Sequence, residues 1–191
     1  IIESGVLGEI KSLEASFGHC LPPEVAPRLH DPALGGGALI DLGIYPISFA
    51  VRAFGLPDAI QAASVLDNKN LDRTTSLIFS YQDGRQASLL TSIDTVLTTT
   101  ASVYGTKARI EIGHPFFENA PVRVVSNDGE VLESFEAKIE GRGMQFQGLE
   151  AQRQILAGNL ESPIMPLEET VAIMRMMDDI RAITGIKYAG E

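Results

Sequence analysis

The sequence predicts an α+β fold, an open and mainly antiparallel sheet with helices packed on one face. Three observations carry that expectation. Strand-like segments follow one another through the middle of the chain, joined across Asp83-Gly84, Gly105-Thr106-Lys107 and Asn127-Asp128-Gly129, and Asp-Gly is a strong hairpin signal. Helix-like segments are grouped at the start and the end. No repeat or linker-like stretch interrupts the 191 residues, so residues 1–191 read as one domain large enough to bury a core.

Taken in order, Ile1 to Ser4 reads as a last helical turn closed by Gly5. A helix with only its final turn present, no initial methionine and no signal-peptide pattern lead to the expectation of a fragment of a longer protein. Glu9 to Gly18 is a strand by its β-branched and aromatic content. His19 to Leu34 carries Pro22, Pro23, Pro27 and Pro32 and reads as a loop. Ala38 to Phe54 is a helix, and Pro46 within it predicts either a kink or a helix proper that begins close by. Leu39, Leu42, Phe49 and Ala53 are assigned to its apolar side. The expected strands are Ile60–Asn68, Thr74–Tyr81, Gln86–Asp94, Thr98–Tyr104, Ala108–Ile112, Pro121–Ser126 and Glu130–Phe135. Two helices close the chain, Met144–Ala157 and Pro166–Thr184. Pro166 suits a first turn, Glu168 and Glu169 suit the positive end of a helix, and Gly185 stops it. Met174 and Met177, with Val171 and Ile180, read as the packing face of the second helix.

Composition excludes several classes of function. A formal net charge of -10 with 15 scattered Lys and Arg argues against nucleic acid. An apolar fraction of 45% and a mean hydropathy of +0.10 describe a globular chain, and no uninterrupted apolar run reaches the ~18 residues of a membrane helix. The lone Cys20 cannot form an internal disulfide. It suits a reducing, cytoplasmic setting and reads as an inert, partly buried residue. His19, His30 and His114 are too far apart for a metal motif, and G-x-S-x-G is absent.

The stretch GGGALIDLGIYPISFAVRAFG, Gly35 to Gly55, holds the candidate chemistry. The glycine run follows a proline-containing loop, matches neither G-x-G-x-x-G nor a P-loop, and is no nucleotide cradle on its own. Beyond it, Asp41, Tyr45, Ser48 and Arg52 fall at i, i+4, i+7 and i+11, one helical stripe. Such a stripe is common on surface helices. This one places a carboxylate one turn from a phenol, a pair that can orient and polarise a substrate hydroxyl.

GGGALIDLGIYPIS resembles the segment that opens the C-terminal domain of the Gfo/Idh/MocA oxidoreductases, roughly G-G-G-x-L-x-D-x-G-x-[HY]. SGVLGEI (Ser4 to Ile10), the stretch from Gly143-Met144-Gln145-Phe146 to Leu149-Glu150-Ala151-Gln152-Arg153, and ESPIMPLEET (Glu161 to Thr170) resemble three further stretches in the same order. Tyrosine in the motif looks most like the dihydrodiol dehydrogenase and glucose–fructose oxidoreductase branch. The resemblance implies that Asp41 and Tyr45 lie by substrate and nicotinamide, with Tyr45 as proton donor or acceptor, and that the fold pairs sheet to sheet in a homodimer or higher homo-oligomer. A phenol with a pKa of ~10 is a poor base without a nearby positive charge. The family supplies one, a lysine from a Rossmann domain that this chain lacks.

The expected site therefore has Tyr45 and Asp41 as catalytic residues and Arg28, Asp41 and Tyr45 as substrate contacts. Gly36 and Gly37 permit close approach to the cofactor, and no metal is expected. The expected function is the substrate-binding and oligomerisation half of an oxidoreductase using NAD or NADP on a sugar, polyol or cyclic diol. By itself the chain is expected to turn nothing over. The alternative is a ligand-binding or assembly module that has lost catalysis.

Overall fold

The computed structural model describes residues 1–136, 138–141 and 143–188. Its centre is an eight-stranded sheet in the order β2-β3-β4-β1-β5-β6-β7-β8. The strands are β1 (Ile10–Gly18), β2 (Ala59–Leu66), β3 (Asp72–Ser80), β4 (Gln86–Ser92), β5 (Ala101–Gly105), β6 (Ala108–Ile112), β7 (Val122–Ser126) and β8 (Val131–Phe135). Every neighbouring pair is antiparallel except β1 with β4, where Leu13 lies opposite Ala87 and Phe17 opposite Thr91. Chain connection explains the exception. After β1 a long loop and helix α1 (Ile44–Phe54) carry the chain to the far edge, and the meander β2-β3-β4 returns beside β1. Parallel neighbours need a helix-bearing crossover of this kind. The sheet is mixed and mostly antiparallel.

Alternation along the strands separates the two faces. Leu13, Ala15 and Phe17 of β1, Leu77 and Phe79 of β3, and Ala87 and Leu89 of β4 are buried under the helices. Against them pack Ile47, Ala50, Val51 and Phe54 of α1 and Ile173, Met176, Met177 and Ile180 of α3 (Leu167–Thr184). The apolar stripe of α3 thus lies one step from the predicted one. Ile180 and Met177 belong to it, while Val171 and Met174 are exposed. Helix α2 (Gln145–Leu156) buries only Gln154 among its described residues, so the cover of the sheet is made by α1 and α3. Thr75 and Thr91 point to the helix face rather than outward. Both are buried, and both hydroxyls donate hydrogen bonds, to Asp72 and to the Ala38 carbonyl.

The segment Pro32–Phe54 is long and apolar enough to cross a membrane by composition, with a mean hydropathy of 1.5. More than half of it is buried, and α1 contributes to the main core. Cys20 is exposed, not partly buried, because the chain leaves the sheet at Gly18.

Candidate active site

A second, smaller apolar cluster lies at one end of the sheet. It joins Phe17, Leu29, Ala38, Leu42, Leu71 and Ile93, and so ties the loop after β1 to the head of α1. Two short 3-10 turns, Pro27–His30 and Pro32–Leu34, shape that loop. His30 secures it. Its Nε2 lies 2.7 Å from the Leu21 carbonyl oxygen, and its Nδ1 lies 3.1 Å from an Arg73 guanidinium nitrogen. Arg73 is itself paired with Asp94.

The glycine run is packed against this chain's own atoms. Gly36 and Gly37 donate their N–H groups to the carbonyls of Asp31 and Leu29. A Cβ on Gly36 would meet the carbonyl oxygens of Arg28, Leu29 and Asp31 at 2.5 to 2.9 Å, and one on Gly37 would overlap Asp72 Oδ1. Gly37 also has φ +108°, a backbone that L side chains rarely adopt. The close approach that the glycines allow is made to Asp72 and to the loop carbonyls.

Asp72 is wholly buried, and its Oδ2 accepts from Leu39 N at 2.6 Å and from the Thr75 hydroxyl at 3.1 Å. Burial pushes its carboxyl up to about 6, against the lowering effect of these hydrogen bonds. Leu39 begins a π-helical turn, Leu39–Gly43, which runs into α1. Pro46 therefore stands at the third position of the α-helix proper, which begins close to it as the sequence allowed. Such π turns are frequent at functional sites.

Beyond this head, Asp41, Tyr45, Ser48 and Arg52 line one open cleft of about 600 Å3 together with Ile40, Ile44, Phe49, Phe116 and Phe117. The predicted stripe is assembled as expected. Phe49 packs against the main core, as assigned, and also lines the cleft. Arg28 does not line it but reaches it through an ion pair with Asp41. The Asp41 side chain is only 18% exposed and Arg28 is 58% exposed, so the carboxylate is held from the solvent side.

Tyr45 is 41% exposed, and its ring packs edge-on to Phe17 at 5.1 Å and against Phe117 at 4.4 Å. Phe116 touches both Phe117 and Phe49, and His19 sets its ring on the edge of Phe17. The sequence reading missed Phe17, Phe116 and Phe117. The signal was present in the tandem His114-Pro115-Phe116-Phe117, since two large aromatics in a loop need something to cover them. The result is a cleft with an aromatic wall and a polar strip, able to hold a ring or carbon chain flat and to hydrogen-bond its hydroxyls. Among the described residues no cluster of His, Cys, Asp and Glu could hold a metal ion.

The family model described as GFO/IDH/MocA C-terminal domain matches residues 1–111. The chain belongs to the GFO/IDH/MocA family. Among curated relatives of this family member, the trans-1,2-dihydrobenzene-1,2-diol dehydrogenase of Xenopus laevis is 31% identical over 196 residues, which cover 98% of this chain and 58% of that protein. The human enzyme of the same name is 28% identical over 200 residues, with 98% and 58% covered. Among solved structures, an aldose-aldose oxidoreductase from Caulobacter crescentus complexed with glycerol superposes with a TM-score of 0.80 at 21% identity, over 96% of this chain and 56% of the other. A 3-ketoreductase from Actinomadura kijaniata in complex with NADP and TDP-benzene gives 0.77 at 22% identity, over 96% and 56%. The fold is thus that of the Gfo/Idh/MocA oxidoreductases, and the chain spans somewhat more than half the length of the relatives it matches.

Proposed function

We propose that this chain is the substrate-binding and dimerisation domain of an NAD(P)-dependent oxidoreductase acting on a sugar, polyol or cyclic diol. The observation that carries the reading is the shared cleft of Tyr45 and Asp41, with Asp41 held by Arg28 and Tyr45 held by aromatic rings. In the oxidative direction Tyr45, as phenolate, receives the proton of the reacting alcohol, and in the reductive direction its hydroxyl donates one to the carbonyl oxygen. Asp41 accepts a hydrogen bond from a neighbouring hydroxyl and so fixes which carbon reacts. Phe116 and Phe117 pack on the apolar face of the substrate and exclude water. The dehydrogenase names of the curated relatives, and the NADP of the 3-ketoreductase complex, support the nicotinamide assignment.

The glycine run does not offer a dinucleotide's phosphates a cradle, because the N–H groups of Gly36 and Gly37 are already bonded to this chain's own carbonyls. The cofactor and a lysine to activate the phenol belong, in this reading, to a Rossmann domain in the rest of the protein. The lone cysteine suits a cytoplasmic setting.

Tyr45→Phe in the full-length protein tests the assignment. A proton-transfer role acts in the transition state, so kcat should fall about 100-fold with KM little changed. An unchanged kcat assigns Tyr45 to packing. The chain alone, assayed alongside with NAD and NADP, should turn nothing over.

A further inference from the structure

We propose that Asp72 is a positioning residue, a buried carboxylate that holds the head of the Asp41–Tyr45 helix in its working place. The catalytic consequence rests on the oxidoreductase reading above, but the contact does not. Asp72 lies 31 residues beyond Asp41 on the first position of β3, and its side chain reaches the backbone where the glycine run turns into helix. There it accepts from Leu39 N, while the Ala38 N–H also faces it. A helix head has unpaired N–H groups and a partial positive charge, and no side chain within the turn itself caps this one. The cap comes from the sheet instead. That route fixes the helix head to β3 as well as to its own loop.

Two features show that the place is built around the carboxylate. Gly37 has no room for a Cβ because Asp72 Oδ1 fills the space. Thr75 and Thr91, both buried, tie the same junction from β3 and β4, through Asp72 itself and through the Ala38 carbonyl. Oδ1 has no hydrogen-bond partner, an arrangement that costs free energy in a purely structural contact and persists where position matters. The charged groups nearby are otherwise engaged: Arg73 with Asp94 and His30, and Arg28 with Asp41. None of them contributes to the shift of the Asp72 carboxyl, which burial raises to about 6. Protonation weakens the acceptor, and Asp41 stands two residues beyond the amide it holds.

The test uses Asp72→Asn in two measurements. In the full-length enzyme the variant should lose about tenfold in kcat at pH 8 with KM within twofold, and the acid limb of kcat near pH 6 should flatten. Wild-type kcat, or a lower kcat with an unchanged acid limb, overturns the proposal. The second measurement needs no catalysis, so it separates this proposal from the oxidoreductase reading. In the chain itself, NMR should show the Leu39 amide and the Tyr45 ring titrating with one midpoint near pH 6. His19 also touches the aromatic cluster, so the titration is run with His19→Gln as background. A Leu39 amide that titrates while Tyr45 stays still, or the absence of any titration, overturns the proposal even if Asp72→Asn fails to fold.

Discussion

Asp72 is both a cost and a constraint, and its thermodynamics can be read separately from any activity. A carboxyl whose pKa rises on folding, here from 3.8 to about 6, binds its proton more tightly in the folded chain. Its contribution to stability is fully present below pH 3.8 and is lost as pH rises through about 6. At 1.36 kcal/mol per unit the loss is about 3 kcal/mol. Wild type should therefore lose about 3 kcal/mol of unfolding free energy relative to Asp72→Asn between pH 3 and pH 7, measured by denaturant titration at each pH. Parallel curves would show that Asp72 titrates alike in folded and unfolded chains. The residue scale is also where the sequence was least legible. Asp41, Tyr45, Ser48 and Arg52 were visible because one helical period links them, and the cleft confirms their placement. Asp72, Phe17, Phe116 and Phe117 come from other strands and loops, and no local period joins them to the helix.

At the scale of elements, hairpin chemistry and helix stops located all eight strands and three α-helices, with ends displaced by a few residues. Among the strands the largest trim is in β5, which begins at Ala101 rather than Thr98. Thr98 and Thr100 instead run irregularly beside β1, with Ser16 N donating to the Thr100 carbonyl. The first turn of the expected helix at Ala38 is the π turn before α1. The stripe of α3 was misplaced because 3.6-residue periodicity admits neighbouring faces, and only packing selects among them. Helix α2 shows the opposite limit. Its apolar residues Phe146, Leu149, Ile155 and Leu156 are exposed, and its fixed contacts are polar. Glu150 Oε1 accepts from Gln154 at 2.7 Å and from Ser162 at 2.6 Å, and Asn159 donates to Gln154 at 2.6 Å. Hydrogen bonds from Arg153, and then from Ser162 and Gln154, pull the Glu150 carboxyl down to about 2. The network binds the segment after α2 to the helix. Glu150→Ala should thus raise amide exchange in residues 159–164 without changing that of α1 or β1–β4. Unaltered exchange there would mean that the apolar contacts of α2 hold the segment instead.

The whole molecule has one sheet face under α1 and α3 and one without a helix. Leu77-Ile78-Phe79 and Leu89-Leu90 carry apolar residues at both alternations, and the register sorts them between the two faces. Across it run the rows Ala63–Ser76–Leu90–Ser16 and Gln61–Ile78–Ser88–Glu14–Ser102. Leu77, Phe79 and Leu89 have gone to the core, and serines have taken much of the outward surface. What marks the face over β2, β3, β4 and β1 is its lack of charge. In those two rows Glu14 alone is ionisable, and its Oε2 accepts from the Tyr104 hydroxyl. Charged side chains gather further along, where Arg109 and Arg123 both pair with Glu111. A sheet face turned to water normally carries more charge, and depletion of charge at the centre with a charged margin is the pattern of an interface. Closed two-fold symmetry is the commonest way to cover such a surface. The chain should accordingly run as a dimer in light scattering at micromolar concentration, and Ile78→Lys, in the second row, should return it to the 20.5 kDa monomer. A wild-type chain that scatters as a monomer, or an Ile78→Lys variant that stays dimeric, would place the contact elsewhere and leave the serine-rich face to solvent.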